Sequence, residues 1–280
     1  MRRFTLGLLP VCALVTNCNG LFYFPSRKLH DWPDRPFETV SIKTRDGESL
    51  HGWLFPPRGV ERGTVVQFHG NAANMTAHFL SLAWLTDYGY RFLAFDYRGY
   101  GRSTGHPSPE GLHEDALAAM HFAQSLPHQP SSDNLYFYGQ SLGGAVLLEA
   151  YPQLERHEQV RAVIVEGSFH SYQEIAASVL YRHWLLLPFT GFAYATVSDV
   201  TSPSAWVSQI SPTPLLIIHG KQDPIVPFAF GRALDGLAGE PHEFWPVPNG
   251  GHIDAMTRPE WCQRLLSYLE RTSAKVAASK

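Results

Sequence analysis

Cysteine, net charge and long apolar runs are all scarce in this 280-residue chain. It has three cysteines, and two of them, Cys12 and Cys18, lie near the amino terminus, so Cys262 is the only thiol of the main domain and no disulfide is expected there. The net charge of −3 lacks the basic excess of nucleic-acid-binding proteins, so no nucleic-acid partner is expected. No internal repeat and no internal membrane-spanning run interrupts the sequence.

Metal-binding patterns are also missing. The sequence has no His-Glu-x-x-His motif and no paired-cysteine motif, so neither a metal nor another cofactor is expected. What is present is an apolar, aromatic-rich composition, with 44% hydrophobic and 13% aromatic residues, which is enough to build a globular core. The length suits one large domain or two small ones.

The amino terminus has the pattern of an export segment. Arg2 and Arg3 precede an apolar run at residues 4–15, which is too short to span a bilayer comfortably. Cys18 resembles the lipidated cysteine of a bacterial lipobox, although Asn17 stands where a small residue is usual. We therefore predict attachment to the bacterial cell envelope through a lipid on Cys18, with an uncleaved cytoplasmic chain as the alternative.

Apolar and alternating segments predict an α/β fold with a mostly parallel sheet. Residues 37–43 and 50–54 alternate on either side of Asp46-Gly47 and predict an antiparallel hairpin at the start of the sheet. The later strands alternate with helices, which implies parallel βαβ units with helices on both faces. Further strands are predicted at residues 64–68, 92–95, 135–138, 162–165, 215–218 and 242–247, and helices at 77–85, 110–124, 145–148, 230–237 and 259–269.

One segment breaks this alternation. Nearly fifty residues separate the strands that end at Val165 and begin at Leu215, and a connection of that length usually forms a cap or carries function. We predict a small helical cap at about residues 168–211, with an elongated crossover helix as the alternative. The full division is then an export segment at 1–18, a linker at 19–36 and one domain at 37–280.

Ser141 lies among three glycines where a predicted strand turns into a helix. A tight strand-to-helix turn brings the residues two before and two after it together, so a Cβ at Gly139 or Gly143 would clash. This Gly-x-Ser-x-Gly pattern is typical of a nucleophile elbow. A plain glycine-rich turn with a solvated serine is the alternative, but the flanking strand and helix favour the elbow.

An acid and a base follow later strands in the order expected for such a serine. Asp223 comes after the strand at 215–218, and His252 comes after the last strand. The carboxyl ends of parallel strands meet at one edge of a sheet, so these side chains are expected near Ser141. Glu166 also ends a predicted strand and is the second candidate for the acid.

Two backbone amides are predicted to hold an oxyanion. The amide of Leu142 follows the nucleophile at a helix amino terminus. The second donor is expected in the loop "HGNAAN", where Gly70 permits a tight turn and Asn71 offers its N–H. A plain strand-to-helix loop is the alternative reading of these residues.

Together these motifs resemble one superfamily. "GQSLGG", "HGNAAN", "DYRGYGRSTG", "HGKQDPIVP" and "GGH" are similar to the α/β-hydrolases, and most similar to the branch of the bud-emergence homologues and membrane-associated depalmitoylases. The resemblance covers roughly residues 37–269 and implies a triad of Ser141, Asp223 and His252. It also implies a structural role for Arg98, and it shows Ala73 where the family loop often has glycine.

The function implied is hydrolysis of a small-molecule carboxylic ester or thioester through an acyl-enzyme, without a cofactor. One alternative is a peptidase for short peptides, in which Glu166 would help to hold a free amine. The other is a non-catalytic binding or assembly protein on the same fold.

Overall fold

The computed structural model describes residues 23–127, 134–181 and 190–277. Its centre is an eight-stranded sheet. The two strand pairings at the edge that begins with the amino-terminal hairpin are antiparallel, and the other pairings are parallel. The strands are β1 (Glu38–Lys43), β2 (Ser49–Phe55), β3 (Gly63–Phe68), β4 (Tyr90–Phe95), β5 (Leu135–Gln140), β6 (Val160–Glu166), β7 (Leu215–Gly220) and β8 (His242–Val247). Their order across the sheet is β8-β7-β6-β5-β3-β4-β2-β1.

Helices cover both faces of this sheet. They are α1 (Leu80–Ala83), α2 (Pro109–Ser125), α3 (Leu142–Ala150), α4 (Tyr172–Tyr181), α5 (Thr190–Thr196), α6 (Phe228–Leu237) and α7 (Pro259–Ala277). Strand residues alternate between two cores: Val163 joins the core that contains α2 and α3, whereas Ile164 joins the core that contains α1 and α7. The predicted α/β architecture, a mostly parallel sheet with an antiparallel amino-terminal hairpin and helices on both faces, is confirmed.

One predicted helix is much shorter than expected. Residues 77–85 hold only the four-residue α1, flanked by 3₁₀ turns at Met75–Ala77 and Trp84–Tyr88. The carbonyl of Ala83 explains the early end, because it accepts from the Arg35 guanidinium at 2.6 Å and from the Thr86 hydroxyl at 2.8 Å. Side chains thus take the acceptor that a continuing helix would use.

In its described residues, the long connection after β6 contains the helices α4 and α5. In this connection α4 packs against α5. Beside them lies a groove of about 500 Å³, whose lining includes Tyr181, Tyr194, Pro227 and Phe230. The predicted cap at about 168–211 therefore has helices and an apolar groove, and its role over the site stays a prediction.

Before β1, the chain lies against the loop that follows β3. Phe24–Pro25 pairs in parallel with Ala72–Ala73, although residues 19–36 were predicted as a linker. The predicted export segment, including Cys18, lies outside the described residues. Among the helices that are described, none combines the length and the apolar character needed to cross a bilayer.

Candidate active site

The nucleophile elbow has the strained geometry that its glycines require. Ser141 stands between β5 and α3 with φ 53° and ψ −116°, and it is half-buried. A Cβ on Gly139 would lie 2.5 Å from the Cα of Gly144. A Cβ on Gly143 would lie 2.0 Å from the carbonyl oxygen of Phe68, at the end of β3. The close approach predicted from the sequence is therefore present on both sides of the serine.

The predicted oxyanion loop lies directly beside this elbow. A Cβ on Gly70 would lie 3.6 Å from the Cβ of Ser141, which brings the start of "HGNAAN" against the serine. Leu142 is the first residue of α3 and is buried, so its N–H lies at the helix amino terminus, where the helix itself supplies no acceptor for it. Asn71 follows Gly70, and Ala73 holds a left-handed φ of 67°. Both predicted donors thus belong to segments adjoining Ser141.

Asp223 and His252 are hydrogen-bonded to each other. The Nδ1 atom of His252 lies 2.7 Å from Oδ2 of Asp223, whose side chain is fully buried. Oδ1 of Asp223 accepts from the amides of Ile225 at 2.7 Å and Val226 at 2.8 Å. Burial alone would raise the pKa of Asp223, but the hydrogen bonds from His252 and these amides outweigh burial and lower it.

Contacts at the end of β6 connect His252 to the elbow. A Cβ on Gly167 would lie 3.3 Å from Nδ1 of His252. The residues on either side of Gly167 bind Ser141: its amide donates to the Glu166 carbonyl at 2.9 Å, and its carbonyl accepts from the Ser168 hydroxyl at 3.0 Å. Asp223 and His252 therefore meet at the carboxyl edge of the sheet, and the turn after β6 lies against both the His252 ring and the backbone of Ser141.

Comparison with known proteins identifies the family of this chain. A family model described as serine aminopeptidase, S33, matches residues 59–194. The protein YfhR of Escherichia coli K12 is 34% identical over 242 residues, covering 85% of this chain and 81% of YfhR. The chain is a member of the α/β-hydrolase superfamily. Protein bem46 of Schizosaccharomyces pombe is 28% identical, covering 87% of this hydrolase and 80% of bem46.

A third relative and a solved structure extend the likeness. Lysophosphatidylserine lipase ABHD12 of Macaca fascicularis is 35% identical to the hydrolase over 206 residues, which are 69% of this chain and 49% of ABHD12. The esterase Pf2001 of Pyrococcus furiosus superposes with a TM-score of 0.73, covering 89% of this chain and 98% of the esterase. At 20% identity, the second comparison bears on the fold alone. The family and its relatives make this protein an enzyme that catalyses hydrolysis.

Glu166 has a different place in the hydrolase from the one considered in the sequence. Its carboxylate is buried and accepts from the hydroxyl of Tyr138 at 2.9 Å, from the Gln140 side chain at 3.1 Å and from the amide of Ala255 at 2.8 Å. Burial raises the pKa of Glu166. Asp223, and not Glu166, accepts the hydrogen bond from the His252 ring. Glu166 instead joins the elbow strand to the loop that carries the histidine.

A second buried carboxylate holds the opposite loop of the hydrolase. Asp96, which follows β4, accepts from the amide of Met75 at 2.7 Å, and burial raises its pKa to about 7. Nearby, Nδ1 of His69 donates to the carbonyl of Gly70 at 2.7 Å, and burial lowers the pKa of His69 to about 3. The sequence singled out neither residue, because the partner of each side chain is visible only after folding.

Arg98 belongs to the scaffold contacts of the hydrolase. Its guanidinium donates to Asp115 at 2.9 Å and to Asp46 in the β1–β2 turn at 2.7 Å. These bonds connect the "DYRGYGRSTG" loop to α2 and to the hairpin, as expected for a structural arginine. Within the described ranges, no cluster of His, Cys, Asp and Glu side chains could hold a metal ion.

Proposed function

We propose that this hydrolase cleaves carboxylic esters or thioesters through a Ser141–His252–Asp223 triad and an acyl-enzyme intermediate. The observation that carries the proposal is the 2.7 Å hydrogen bond between His252 and Asp223 at the sheet edge where the elbow holds Ser141. The order along the chain, serine, aspartate and histidine, is the α/β-hydrolase order.

Asp223 sets the protonation of the histidine in this proposal. Its lowered pKa keeps the Asp223 carboxylate ionised at neutral pH. The carboxylate then accepts a hydrogen bond from a protonated Nδ1 of His252. Nε2 of His252 is then the acceptor and serves as the base. The buried carboxylate also stabilises the imidazolium that forms during the reaction.

The reaction runs in two balanced halves. Oγ of Ser141 attacks the acyl carbon while its proton passes to Nε2 of His252, and the tetrahedral oxyanion is stabilised by the amides of Leu142 and Asn71. The intermediate expels the alcohol or thiol, which takes the proton from His252. Water then attacks the acyl-enzyme and gives its proton to His252, which returns it to Ser141 as the carboxylic acid leaves.

The groove beside α4 and α5 supports an acyl substrate with an apolar chain. Pro227 and Phe230 line it together with Ala177, and Glu174 and Ser178 add polar groups to the lining. Apolar linings of this kind bind hydrocarbon by removing it from water. The name of one similar protein, a lysophosphatidylserine lipase, agrees with an ester that carries an acyl chain.

A peptidase is the second candidate, because the matching family model is described as a serine aminopeptidase. The sequence argument for it relied on Glu166 to hold a free amine. That carboxylate is 2% exposed and already accepts three hydrogen bonds, so it is not presented to a substrate. We therefore favour the ester or thioester.

The test compares Ser141→Ala with Ser267→Ala, a change at an exposed position of α7. Turnover of p-nitrophenyl esters of graded length, acyl-thioesters and aminoacyl amides is measured beside labelling by a fluorophosphonate. We expect Ser141→Ala to lose labelling and turnover, and Ser267→Ala to retain both. A folded Ser141→Ala protein that keeps the parental rate disproves the nucleophile, and amides hydrolysed faster than esters favour the peptidase.

We also propose that the enzyme works at the bacterial envelope, attached through a lipid on Cys18. The motivation is the pairing of Arg2 and Arg3 with the apolar run at residues 4–15. Fractionation and mass measurement of the full chain and Cys18→Ala provide the test. A lipidated chain in the membrane fraction that is lost in Cys18→Ala supports attachment, and an unmodified cytoplasmic chain in both disproves it.

A further inference from the structure

The amino-terminal segment (residues 23–30) is built onto the loop that carries the proposed oxyanion donor. Phe24–Pro25 pairs in parallel with Ala72–Ala73. The amide of Ser26 extends this pairing by donating to the carbonyl of Ala73 at 2.9 Å. The amide of Phe24 donates to the side-chain oxygen of Asn71 at 3.0 Å. The segment thus binds three consecutive residues of the loop.

Asn74 connects the same two stretches with its side chain. Its Nδ2 donates to the carbonyls of Ser26 and Lys28, each at 2.8 Å. Its Oδ1 accepts from the amide and the hydroxyl of Thr76, at 3.0 and 2.6 Å. The Thr76 hydroxyl in turn accepts from the amide of His30 at 2.9 Å. Asn74 is completely buried, so its donors have exchanged water for these carbonyls.

The segment is itself fixed to the core. Tyr23 is buried in the cluster that includes Tyr100, whose hydroxyl donates to the Asn71 side chain at 3.0 Å. The carbonyl of Ser26 also accepts from the amide of Gly101 at 3.0 Å. The amino-terminal segment is therefore held between the core and the loop, and it can transmit the rigidity of one to the other.

The loop needs support from outside itself. Ala73 holds φ at 67°, a conformation that an L-residue with a Cβ adopts only when its surroundings impose it. Two positions before Ala73 is Asn71, whose amide is the proposed donor to the oxyanion. Stabilisation of an oxyanion depends on donors held at 2.7–3.1 Å from it, and a displacement of about 1 Å can cost about 100-fold in rate.

We propose that residues 23–30 form a positioning element of the active site, which sets the Asn71 amide for the transition state through Asn74 and the pairing with Ala72–Ala73. The inference rests on the proposed function, because it concerns the oxyanion of the ester-cleaving reaction. Its role is positioning, since none of these residues touches the reacting atoms.

The test is Asn74→Asp in the full chain. This change keeps an oxygen for Thr76 but replaces the donor to Ser26 and Lys28 with an acceptor, which turns two hydrogen bonds into repulsions. We expect kcat for a p-nitrophenyl ester to fall about 10-fold to 100-fold, KM to change less than about 3-fold, and the phosphonylation rate to fall with kcat. The pH profile keeps its shape, because the triad is untouched.

The matched control is Asn134→Asp at the opposite end of β5. Asn134 is also buried, and its Nδ2 also donates twice, to the carbonyl of Arg62 and the hydroxyl of Ser273 at 3.0 Å. We expect this variant to keep kcat within about 2-fold. A folded Asn74→Asp protein with parental kcat, an effect confined to KM, or equal losses in both variants overturns the inference.

A second measurement needs no variant. Hydrogen exchange of residues 23–30 is followed by mass spectrometry in the free and the phosphonylated enzyme, with β1 as the reference peptide. Because coupling is reciprocal, an occupied oxyanion site is expected to slow exchange in residues 23–30 and leave β1 unchanged. If phosphonylation leaves the exchange of residues 23–30 unchanged, as it does that of β1, the inference is overturned. Loss of labelling in the wild type itself would instead overturn the proposed function.

Discussion

Two loops flank Ser141, and each is held by a buried carboxylate at the end of a strand. In the oxyanion-side loop (residues 69–79), the amide of Met75 donates to Asp96. In the histidine-side loop (residues 248–258), the amide of Ala255 donates to Glu166. The two anchors are alike in chemistry, in burial and in the direction of their pKa shift.

The two loops differ in what completes them. The histidine-side loop is bonded within itself and to the end of β7, with Asp254 paired to Arg258 at 2.9 Å and the Gly250 carbonyl accepting from the Gln222 amide at 2.9 Å. The oxyanion-side loop is bonded to residues 23–30, where the Ser26 amide donates to the Ala73 carbonyl and the Ser26 carbonyl accepts from the Asn74 side chain. The two loops therefore share a buried carboxylate, but one is completed by the sheet that carries the proposed acid and the other by a segment that precedes the sheet.

The largest expected effect is on the histidine side, with Asp223→Asn. Loss of the carboxylate that orients the imidazole lowers kcat by about 10⁴-fold in the serine-protease precedent, and we expect a loss of that order here. Glu166→Gln serves as the comparison, because it changes the anchor of the same loop without touching His252. We expect less than about a 10-fold loss for it. Steady-state kinetics on one ester decide the ranking, and the reverse order would mean that the acid is Glu166.

An intermediate effect is expected on stability rather than rate, with Asp96→Asn. Folding raises the pKa of Asp96 from 3.8 to about 7, so between these values the native state holds a proton that the unfolded state has lost. Stability is therefore highest at low pH for this group and falls as pH rises through that window. The asparagine removes this dependence, which is on the order of 2 kcal/mol between pH 5 and pH 7.

Urea unfolding at several pH values checks this result. His51 and His69 lie 3.9 and 3.8 Å from the Asp96 carboxylate, and they are unchanged in the variant. Asp115 has a pKa raised to about 6 and contributes the same sign in both proteins, so the difference between the two curves isolates Asp96. Parallel curves for the variant and the wild type would show that Asp96 is ionised normally.

The smallest effect is expected for Ala73→Gly in the oxyanion-side loop. Glycine relieves the cost of a φ of 67° but adds freedom to the unfolded chain, and the two terms are each about 1 kcal/mol or less. We expect the free energy of unfolding to change by less than about 1 kcal/mol and kcat by less than about 2-fold. Thermal unfolding and ester turnover test this. A large fall in kcat at unchanged stability would mean that the alanine methyl itself holds the loop.

Local patterns were sufficient to predict most of the sheet and the three residues of the proposed triad. Ser141 was identifiable because glycines stand two residues before and two residues after it, and the close approach of Gly139 to Gly144 lies within the motif itself. Asp223 and His252 were identifiable because each follows a strand at the edge where parallel strands end. These signals lie within short stretches of sequence, so they can be recognised without the folded structure.

The features that the sequence did not reveal depend on distant partners. The amide of Phe24 meets Asn71 across 47 positions, and Glu166 meets the amide of Ala255 across 89. No periodicity or motif marks such a pair, because hydrogen bonds to backbone amides leave the partner's residue type free. The short α1 is a similar case, since Arg35 takes the carbonyl of Ala83 from 48 positions away.

The pairing of Phe24–Pro25 with Ala72–Ala73 has a consequence for how this region varies in evolution. The contact is made by backbone atoms, and the Phe24 side chain is 64% exposed, so substitutions there leave the pairing in place. Adding or deleting one residue between Phe24 and His30 would instead shift the residues that follow it away from their hydrogen-bond partners. Homologues that share the pairing should therefore preserve the length of this stretch while its residue types vary. Insertions should accumulate before Tyr23.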